Sequence, residues 1–424
     1  MMPRSFRMII LFSMVLLIGG WGLSSSSQAV GEKAELTISA GAKARDWCPV
    51  LVPLPADSPL HALAVSGKPL RAVSEDDTAP LAVLPSATGV ELALIVKHLD
   101  AWENRVYQIL EGEAAAGHPV QLESLEGRVV VTIGDAPFTT YDYTTNPKKP
   151  WPIFYPLFGP QGVRMTRGFP MEKFDKESED HPHHQSMWVA HGSINGIDLW
   201  SIGENHGYTQ QKEISTAATP VAGRITAKND WTDKDGKKLF EEQRVMTIWG
   251  TPDTARLVDF DMTFKATEGD VKFGDTKEGG LISLRVATSL QETQRPGQYE
   301  KGGVIINANG QTGTKEAWGK AAPWCDYSGP VGNLVAGLTI MDHPRNPFYP
   351  TYFHVRDYGL FTANQWGLHD FTGDPSVRGD LVVKDGDALT FKFRVFIHSG
   401  DTDAADVAGQ YMNFIFPPQV TVVE

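Results

Sequence analysis

Short runs in which apolar and polar residues alternate recur along most of the chain, separated by glycine, proline, asparagine and aspartate. Successive side chains of a β-strand point to opposite faces of a sheet, so a period of two is typical of strands with one buried face. Examples are "GRVVVTIG" at 127–134, "ARLVDFDMTFKAT" at 255–267 and "ALTFKFRVFIHS" at 388–399. The pattern predicts a mostly β protein whose main part is a large antiparallel β-sandwich.

The chain divides into three predicted parts. Residues 1–29 are typical of a secretory signal peptide, because Arg4 and Arg7 flank the start of an apolar run that ends in small residues. Residues 31–122 are predicted to form a small N-terminal β domain that ends near the soft stretch "EGEAAAGHPV". Residues 125–424 are predicted to form the large β-sandwich that carries the functional site. The signal predicts a periplasmic or extracellular protein.

The composition and charge of the chain limit which classes of partner it can bind. The chain has 38 Lys+Arg against 51 Asp+Glu, a formal net charge of −13, which argues against nucleic acid and anionic membranes as partners. No later stretch approaches the roughly 20 apolar residues that a membrane helix needs, so we expect no membrane partner once the signal is removed. Two cysteines, Cys48 and Cys325, leave one disulfide open as an alternative. The oligomeric state is not predicted.

A histidine cluster is the strongest functional signal. Five of the 12 histidines fall between residues 179 and 207, interleaved with carboxylates. Imidazoles in such numbers favour proton transfer, hydrogen bonding to sugar hydroxyls or binding of a divalent metal ion. The spacing fits no standard zinc motif such as H-E-x-x-H. One divalent metal ion held by His181, His183 and His191 is therefore one alternative among three.

A second patch of functional side chains lies at 337–367, where His354 and Arg356 share one strand face. A base beside a permanent cation suits a substrate with a carbonyl, a carboxylate or a developing oxyanion. Glu278 precedes two glycines at a strand start and is a candidate general base. The predicted catalytic residues are His183, His184, Glu278, His354 and Arg356. The predicted substrate-binding residues are Arg167, His191, Trp200, Glu204, His206, His343 and Trp366.

The motifs "YPLFGPQGVRMTRGFP", "DHPHHQSMWVAHGSINGIDLW", "DTKEGGLISLRV" and "IMDHPRNPFYPTYFHVRDYGLFTANQWG" resemble the PmoA-like family of exported bacterial proteins, labelled "methane oxygenase PmoA". The resemblance covers residues 125–415. It implies a β-sandwich of uncharacterised activity, similar in outline to the mutarotase-type supersandwich, whose sites use histidines and a carboxylate on sugar rings. One departure is Gln185, where that family often has arginine.

Three functions follow from these observations. The first is an exported carbohydrate-active enzyme, a lyase, hydrolase or epimerase, acting on a small-molecule or oligosaccharide substrate in a histidine-rich pocket. It requires the residues near 180 and those near 350 to converge. The second is a non-catalytic glycan-binding protein. The third is a metal-dependent oxidase, as the label of the resembling family suggests.

Overall fold

A computed structural model describes residues 34–86, 89–114 and 117–423. The predicted signal peptide at 1–29 lies outside these residues. The described chain is mostly β, with large antiparallel sheets, as the alternating pattern predicts. Its helices are α1 (Pro59–Ala64), α2 (Gly313–Ala317), α3 (Leu368–Thr372) and α4 (Val407–Ile415). Of these described helices, none combines the length and the apolar character that crossing a bilayer requires.

The N-terminal sheet contains seven strands among the described residues. They are β1 (Glu35–Ser39), β2 (Arg45–Leu54), β3 (Leu70–Val73), β4 (Thr78–Ser86), β5 (Gly89–Leu99), β6 (Asn104–Glu111) and β26 (Gln419–Val423). The last strand of the chain pairs with the first, so that Glu35 lies opposite Val423. Side chains from both halves of this sheet, among them Ile38 and Leu94, share one buried cluster, so the sheet curls over its own core.

The site sheet, which carries the candidate site, contains nine strands of the described chain. They are β7 (Val120–Leu125), β8 (Arg128–Ile133), β9 (Ala136–Asp142), β10 (Ile153–Leu157), β11 (Met187–His191), β17 (Gly279–Arg285), β19 (Lys320–Ala321), β22 (Tyr352–Val355) and β23 (Leu360–Ala363). Its spatial order is β19-β22-β23-β17-β11-β10-β9-β8-β7. Strands distant in sequence, such as β11 and β17, are therefore direct neighbours.

The long-strand sheet has eight strands in the described residues. They are β12 (Tyr208–Ala218), β13 (Ala222–Thr232), β14 (Lys238–Trp249), β15 (Ala255–Lys265), β18 (Val304–Asn307), β20 (Trp324–Val331), β21 (Leu334–Asp342) and β25 (Ala388–Ser399). A separate pair consists of β16 (Val271–Phe273) and β24 (Leu381–Val383). The turn between β13 and β14 uses Gly236 at φ +84°, which glycine adopts without strain.

The main core lies between the site sheet and the long-strand sheet. Val189 and Leu284 from the site sheet share this buried cluster with Met246, Phe260 and Val395 from the long-strand sheet. Two sheets that bury their facing side chains in this way form a β-sandwich, as predicted. On its opposite face the long-strand sheet packs against the N-terminal sheet, in a cluster shared by residues of both, including Leu84, Trp249 and Phe396.

The two cysteines do not form a disulfide. Cys48 lies in β2 and Cys325 in β20, and both thiols are free and buried. Burial raises the pKa of the Cys48 thiol to about 12, so it stays protonated and behaves as a small apolar side chain.

The outer face of the site sheet is covered by aromatic side chains rather than by another sheet. Trp151, Trp188 and Trp200 form a buried cluster there, with Ala190 and Leu360. Within β11, Trp188 and Ala190 face this cluster whereas Met187 and Val189 face the main core, because successive side chains alternate. This outer aromatic cluster forms the floor of the candidate site.

Candidate functional site

The loop that carries the histidines is built around a buried arginine. The fully buried guanidinium of Arg167 donates to an Asp180 carboxylate oxygen at 2.7 Å. It also donates to the backbone carbonyl oxygens of Ser178, His181 and His184 at 3.1–3.4 Å. His181 is held at φ +46°, a conformation that non-glycine residues rarely adopt and that such contacts must impose. Arg167 thus shapes the loop from below.

A second buried arginine fixes the protonation of His184. Arg285, at the end of β17, donates to Asp180 at 2.6 Å and to Nδ1 of His184 at 3.0 Å. A guanidinium only donates hydrogen bonds, so Nδ1 of His184 is the acceptor and the ring proton resides on Nε2. Burial, with the nearby Arg285 charge, lowers the pKa of His184 well below its usual value. His184 is therefore a neutral side chain with a defined N–H donor.

Asp180 is the centre of this charge cluster. Arg295 also reaches its carboxylate, at 3.2 Å, so that three guanidinium groups surround one carboxylate. Although burial opposes ionisation, the charges of Arg285 and Arg167 hold the pKa of Asp180 below its usual range. Burial and the charge of Arg285 lower the pKa of Arg167 to about 9. The arginines in this region are thus committed to Asp180.

Above the charge cluster, aromatic and imidazole rings stack in parallel. The ring of His181 is parallel to the rings of Tyr358 and His184, with centroid separations of 4.9 and 4.8 Å and interplanar angles of 5° and 2°, and the Tyr358 and His184 centroids lie 6.4 Å apart. His183 meets His184 edge to face at 4.3 Å. Stacked rings with few free torsions form a rigid wall.

These side chains line a cavity of about 350 Å³, here called the histidine cavity. Its lining residues are His181, His183, His184, Gly192, Asp198, Trp200, Ser201, Thr276, Glu278 and Tyr358. They come from the histidine loop, the segment after β11, the segment before β17 and the turn after β22. A single site requires residues near 180 and residues near 350 to meet. Tyr358 is the residue of the second region that lines this cavity.

Two carboxylates face the imidazoles in this cavity. Asp198 accepts the backbone N–H groups of Trp200 and Ser201 at 2.7 and 3.0 Å, and it also contacts the Ser201 hydroxyl. Glu278 is packed against Gly192, where an added Cβ would lie 2.5 Å from the Glu278 carbonyl oxygen. Only glycine fits at residue 192, and this close approach places Glu278 at the cavity.

Burial and nearby charges set the protonation states of the side chains that line the histidine cavity. Burial, and after it the charge of His181, lowers the pKa of His183 to about 4, so its imidazole is a free base near pH 7. Burial raises the pKa of Tyr358, whose hydroxyl stays protonated. The lining includes the carboxylates of Asp198 and Glu278 but neither lysine nor arginine among the described residues. Lys277 pairs with the Glu278 carboxylate at 3.3 Å, so the negative charge of the lining comes mainly from Asp198.

Comparison with protein-family models places this site in a known family. The model described as "Family of unknown function (DUF6807)" matches residues 128–412, which is more than half of the chain. The chain belongs to the DUF6807 family. A search of curated proteins found no match. All the residues that line the histidine cavity lie within the DUF6807 match. The resemblance to PmoA-like proteins stays a prediction.

The histidine cavity of this DUF6807 protein contains five of the residues predicted for a site. These are His181, His183, His184, Trp200 and Glu278. His191 is not among them, because it shares the core-facing side of β11. Its Nε2 lies 3.0 Å from the Gly274 carbonyl oxygen, and its ring packs at 4.8 Å from Trp366, which is fully buried in the main core.

The predicted pair His354 and Arg356 lies behind the cavity rather than in it. Arg356 donates from Nε to Nε2 of His354 at 3.0 Å, so the proton of His354 is on Nδ1 and is donated to the Lys277 carbonyl oxygen at 2.8 Å. Burial lowers the pKa of His354 to about 3. Lys277 immediately precedes Glu278, so His354 is a positioning residue for the segment that carries that carboxylate.

The remaining predicted residues lie elsewhere. Arg167 supports the histidine loop from below, as described above. Both ring nitrogens of His206 lie near backbone carbonyl oxygens, of Gly207 at 2.9 Å and Pro147 at 3.1 Å. Glu204 is exposed on a turn, and His343 lines a different cavity.

The structure does not bring the proposed metal ligands together. His191 faces the core, and Nδ1 of His181 lies 3.2 Å from Asp180. Within the described ranges, no group of three or more His, Cys, Asp or Glu side chains has the arrangement that would hold a metal ion. The set His181, His183 and His191 therefore does not fit a metal centre.

Sequence reasoning missed Tyr358, Asp198 and Arg285 as functional residues. Arg285 had a signal, because it ends the otherwise apolar run "GGLISL", and a charge inside a buried strand needs a partner. No feature of the sequence indicates Tyr358, since the turn that places it against His181 depends on pairing between distant strands.

Proposed function

We propose that the protein is an exported carbohydrate-active enzyme that moves a proton at an anomeric or carbonyl-adjacent carbon of a neutral sugar, as an epimerase does. The observation that carries the proposal is the convergence of His183, Glu278 and Tyr358 on one cavity. Its volume of about 350 Å³ lies in the lower part of the range for small-molecule sites, and a single sugar is a ligand of that class.

His183 is the proposed base. With a pKa of about 4, its imidazole is unprotonated near pH 7 and can accept the proton of a carbon next to a carbonyl group. As the C–H bond breaks, its electron pair moves into the carbon framework and the carbonyl oxygen becomes an oxyanion. The carbon is inverted when a proton returns on its opposite face: Glu278 takes one up from solvent and delivers it, while His183 releases the abstracted proton to solvent, which restores both groups. No co-reactant is consumed.

Two neutral donors suit the oxyanion of this step. The Tyr358 hydroxyl keeps its proton because burial raises its pKa. The Nε2–H of His184 is fixed by the hydrogen bond that Arg285 donates to Nδ1. Donors held in place before the reaction stabilise a developing charge without reorganisation. They take the role that sequence reasoning gave to Arg356.

The lining favours a neutral sugar over an acidic one. Asp198 repels a substrate carboxylate, and Glu278 already pairs with Lys277 at 3.3 Å. The guanidinium groups of Arg167 and Arg285 already bind Asp180. Carboxylates and neutral imidazoles are good partners for sugar hydroxyls, which both donate and accept hydrogen bonds. The uncharged substrate class is the part of the proposal that the charges of the site support most directly.

Solvent-proton exchange tests the proposal. The purified protein is incubated in D₂O with a panel of neutral aldoses and ketoses, and proton NMR follows the C–H group next to the carbonyl carbon. We expect enzyme-dependent loss of that signal for at least one sugar. The rate should fall about 100-fold or more in His183→Ala, as loss of a general base does. His343→Ala, which removes an imidazole from a different cavity, is the matched control.

The second function, a non-catalytic glycan-binding protein, makes a different prediction in the same assay. Calorimetry would then detect binding of a saccharide that weakens in His183→Ala, while no exchange occurs with any sugar. The observation in favour of this alternative is that His184 and His354 are both locked by arginines. Absence of both exchange and saccharide binding would reject the carbohydrate proposal.

A further inference from the structure

A second cavity of about 280 Å³, here called the seam cavity, lies where the long-strand sheet meets β2 and α4. It is lined by Pro49, Leu51, Trp249, Asp259, Phe260, Asp261, His343, Arg345, Lys392, Phe393, Arg394, Asn413, Phe414 and Pro417. The proposed reaction uses none of these residues. The cavity combines an apolar wall with three cationic and two anionic side chains.

Arg394 is the most informative of these residues, because only some of its guanidinium nitrogens have hydrogen-bond partners. Its side chain is 4% exposed, and it binds Asp259 in a bidentate manner through Nε at 2.5 Å and Nη2 at 2.7 Å. Nη1 is buried and has no hydrogen-bond partner. A buried, charged N–H group without a protein acceptor is costly, so Nη1 would gain from an acceptor that a ligand supplies. The pair of donors on the outer edge of a guanidinium matches a carboxylate.

Two further cationic side chains, Lys392 and Arg345, line the same cavity. Lys392 pairs with Asp261, but both side chains are about 40% exposed, and such pairs are weak and exchange partners readily. Arg345 is exposed, and its backbone N–H donates to Nδ1 of His343 at 3.1 Å. That bond leaves the proton of His343 on Nε2, where it adds a neutral donor. Three cations beside two carboxylates give this cavity a positive excess on an acidic protein.

The apolar part of the wall restricts the ligand further. The Arg394 Cζ atom lies 4.8 Å from the centroid of the Phe414 ring. The Phe414 and His343 rings meet edge to face with their centroids 5.2 Å apart. Leu51 and Pro49 close the side that belongs to the N-terminal sheet. An inorganic anion would leave these surfaces uncovered, whereas a carboxylate with a small apolar body would cover them.

We propose that the seam cavity is a binding site for a small organic carboxylate, whose carboxylate group accepts from Arg394 Nη1 and pairs with Lys392 and Arg345 while its apolar body packs on Phe414. The site is independent of the proposed sugar chemistry. It joins residues of the N-terminal sheet to β25 and α4, so occupancy also stabilises that seam by linkage.

Isothermal titration calorimetry tests this proposal, with benzoate as the probe and benzyl alcohol as its neutral counterpart. We expect the full-length protein to bind benzoate and not benzyl alcohol. Lys392→Met and Arg345→Ala should each weaken benzoate binding about tenfold, the effect of losing one hydrogen bond to a charged group. Arg394→Lys, which keeps the charge but loses the guanidinium fork, should weaken it further.

Lys228→Met is the matched control for Lys392→Met, because Lys228 is also a strand lysine of the long-strand sheet and pairs with Glu213 at 2.8 Å. It should leave the benzoate affinity unchanged. Equal affinities for benzoate and benzyl alcohol, equal effects of the two lysine variants, or binding of phosphate but not benzoate would each overturn the assignment. Lys392→Met and Arg345→Ala alter exposed or half-exposed side chains, so the test does not depend on the folding of the Arg394 variant.

Discussion

The histidine cavity and the seam cavity contain the same titrating group in opposite surroundings. Each has a partly buried histidine, His183 or His343, whose pKa burial lowers to about 4. Carboxylates Asp198 and Glu278 line the first, whereas Lys392, Arg345 and Arg394 stand on the second. Burial thus makes both imidazoles neutral near pH 7, and the fixed charges around them decide which ligand each cavity accepts. A low histidine pKa alone does not identify a ligand class.

The two cavities also differ in how they are supported. The arginines of the histidine cavity lie below its lining and hold the loop, while the arginines of the seam cavity are part of its lining. The histidine cavity is built entirely from residues inside the DUF6807 match, whereas five residues of the seam cavity lie outside it, namely Pro49, Leu51, Asn413, Phe414 and Pro417. The comparison can be tested on each of these differences.

The largest expected effect is on stability. Arg285→Ala removes a fully buried guanidinium and its hydrogen bonds to Asp180 and His184, and the loss of two hydrogen bonds from a charged group costs roughly 3 kcal/mol or more. Arg345→Ala at the seam cavity removes an exposed side chain and should change the free energy of unfolding by less than about 0.5 kcal/mol. Urea unfolding of both variants measures the difference. Equal losses would show that the histidine loop does not depend on its buried arginines.

An intermediate effect is the loss of stability in weak acid. The folded-state pKa values of His183 and His343, about 4, lie below the unfolded value near 6.5. Between these values the unfolded state binds more protons, so stability is retained above about pH 6.5 and lost as the pH falls towards 4. His183→Gln should reduce this loss by roughly 2 kcal/mol, and His343→Gln by about half as much because solvent screens its more exposed ring. Urea midpoints at pH 7.0 and 4.5 test this, and unchanged losses in both variants would contradict it.

The smallest effect has opposite signs in the two cavities. The charge of Asp198 raises the pKa of His183, so Asp198→Asn should lower that pKa further. The charge of Arg345 lowers the pKa of His343, so Arg345→Ala should raise it. Imidazole proton shifts followed by NMR between pH 3 and 7 measure both values. Shifts of the same sign would mean that fixed charges do not distinguish the cavities.

The fold was largely predictable from sequence because strand alternation is a local signal. The turn at 233–237 between β13 and β14 is where "DKDGKK" predicts a hairpin. The cap of α4 is also local, because the Asp406 side chain accepts from the Gly409 N–H. Pairing of β1 with β26 has no local signal, since it joins the two ends of the described chain.

The candidate site was only partly predictable. His183, His184 and Glu278 meet in the cavity as the histidine cluster suggested. His191 was predicted to bind substrate but faces the main core, and the sequence of β11 does not reveal this because Met187 and Val189 on one face and Trp188 and Ala190 on the other are all apolar. Alternation cannot distinguish two buried faces.

The pair formed by His354 and Arg356 shows the same limit. The two side chains interact as their i, i+2 spacing indicated. Whether that face meets a cavity depends on β19, β22 and β23 pairing across the site sheet, which the local sequence does not specify.

The pairing of β1 with β26 has a consequence for biosynthesis. Strands β1 to β6 are synthesised before β26, so the edge of β1 is covered only after residues 419–423 have been made. Until then that edge presents unpaired backbone groups, which can recruit other nascent chains. We therefore expect ribosome-bound fragments that stop after α4 to need chaperone protection, and the final five-residue strand to act as the closing step of folding.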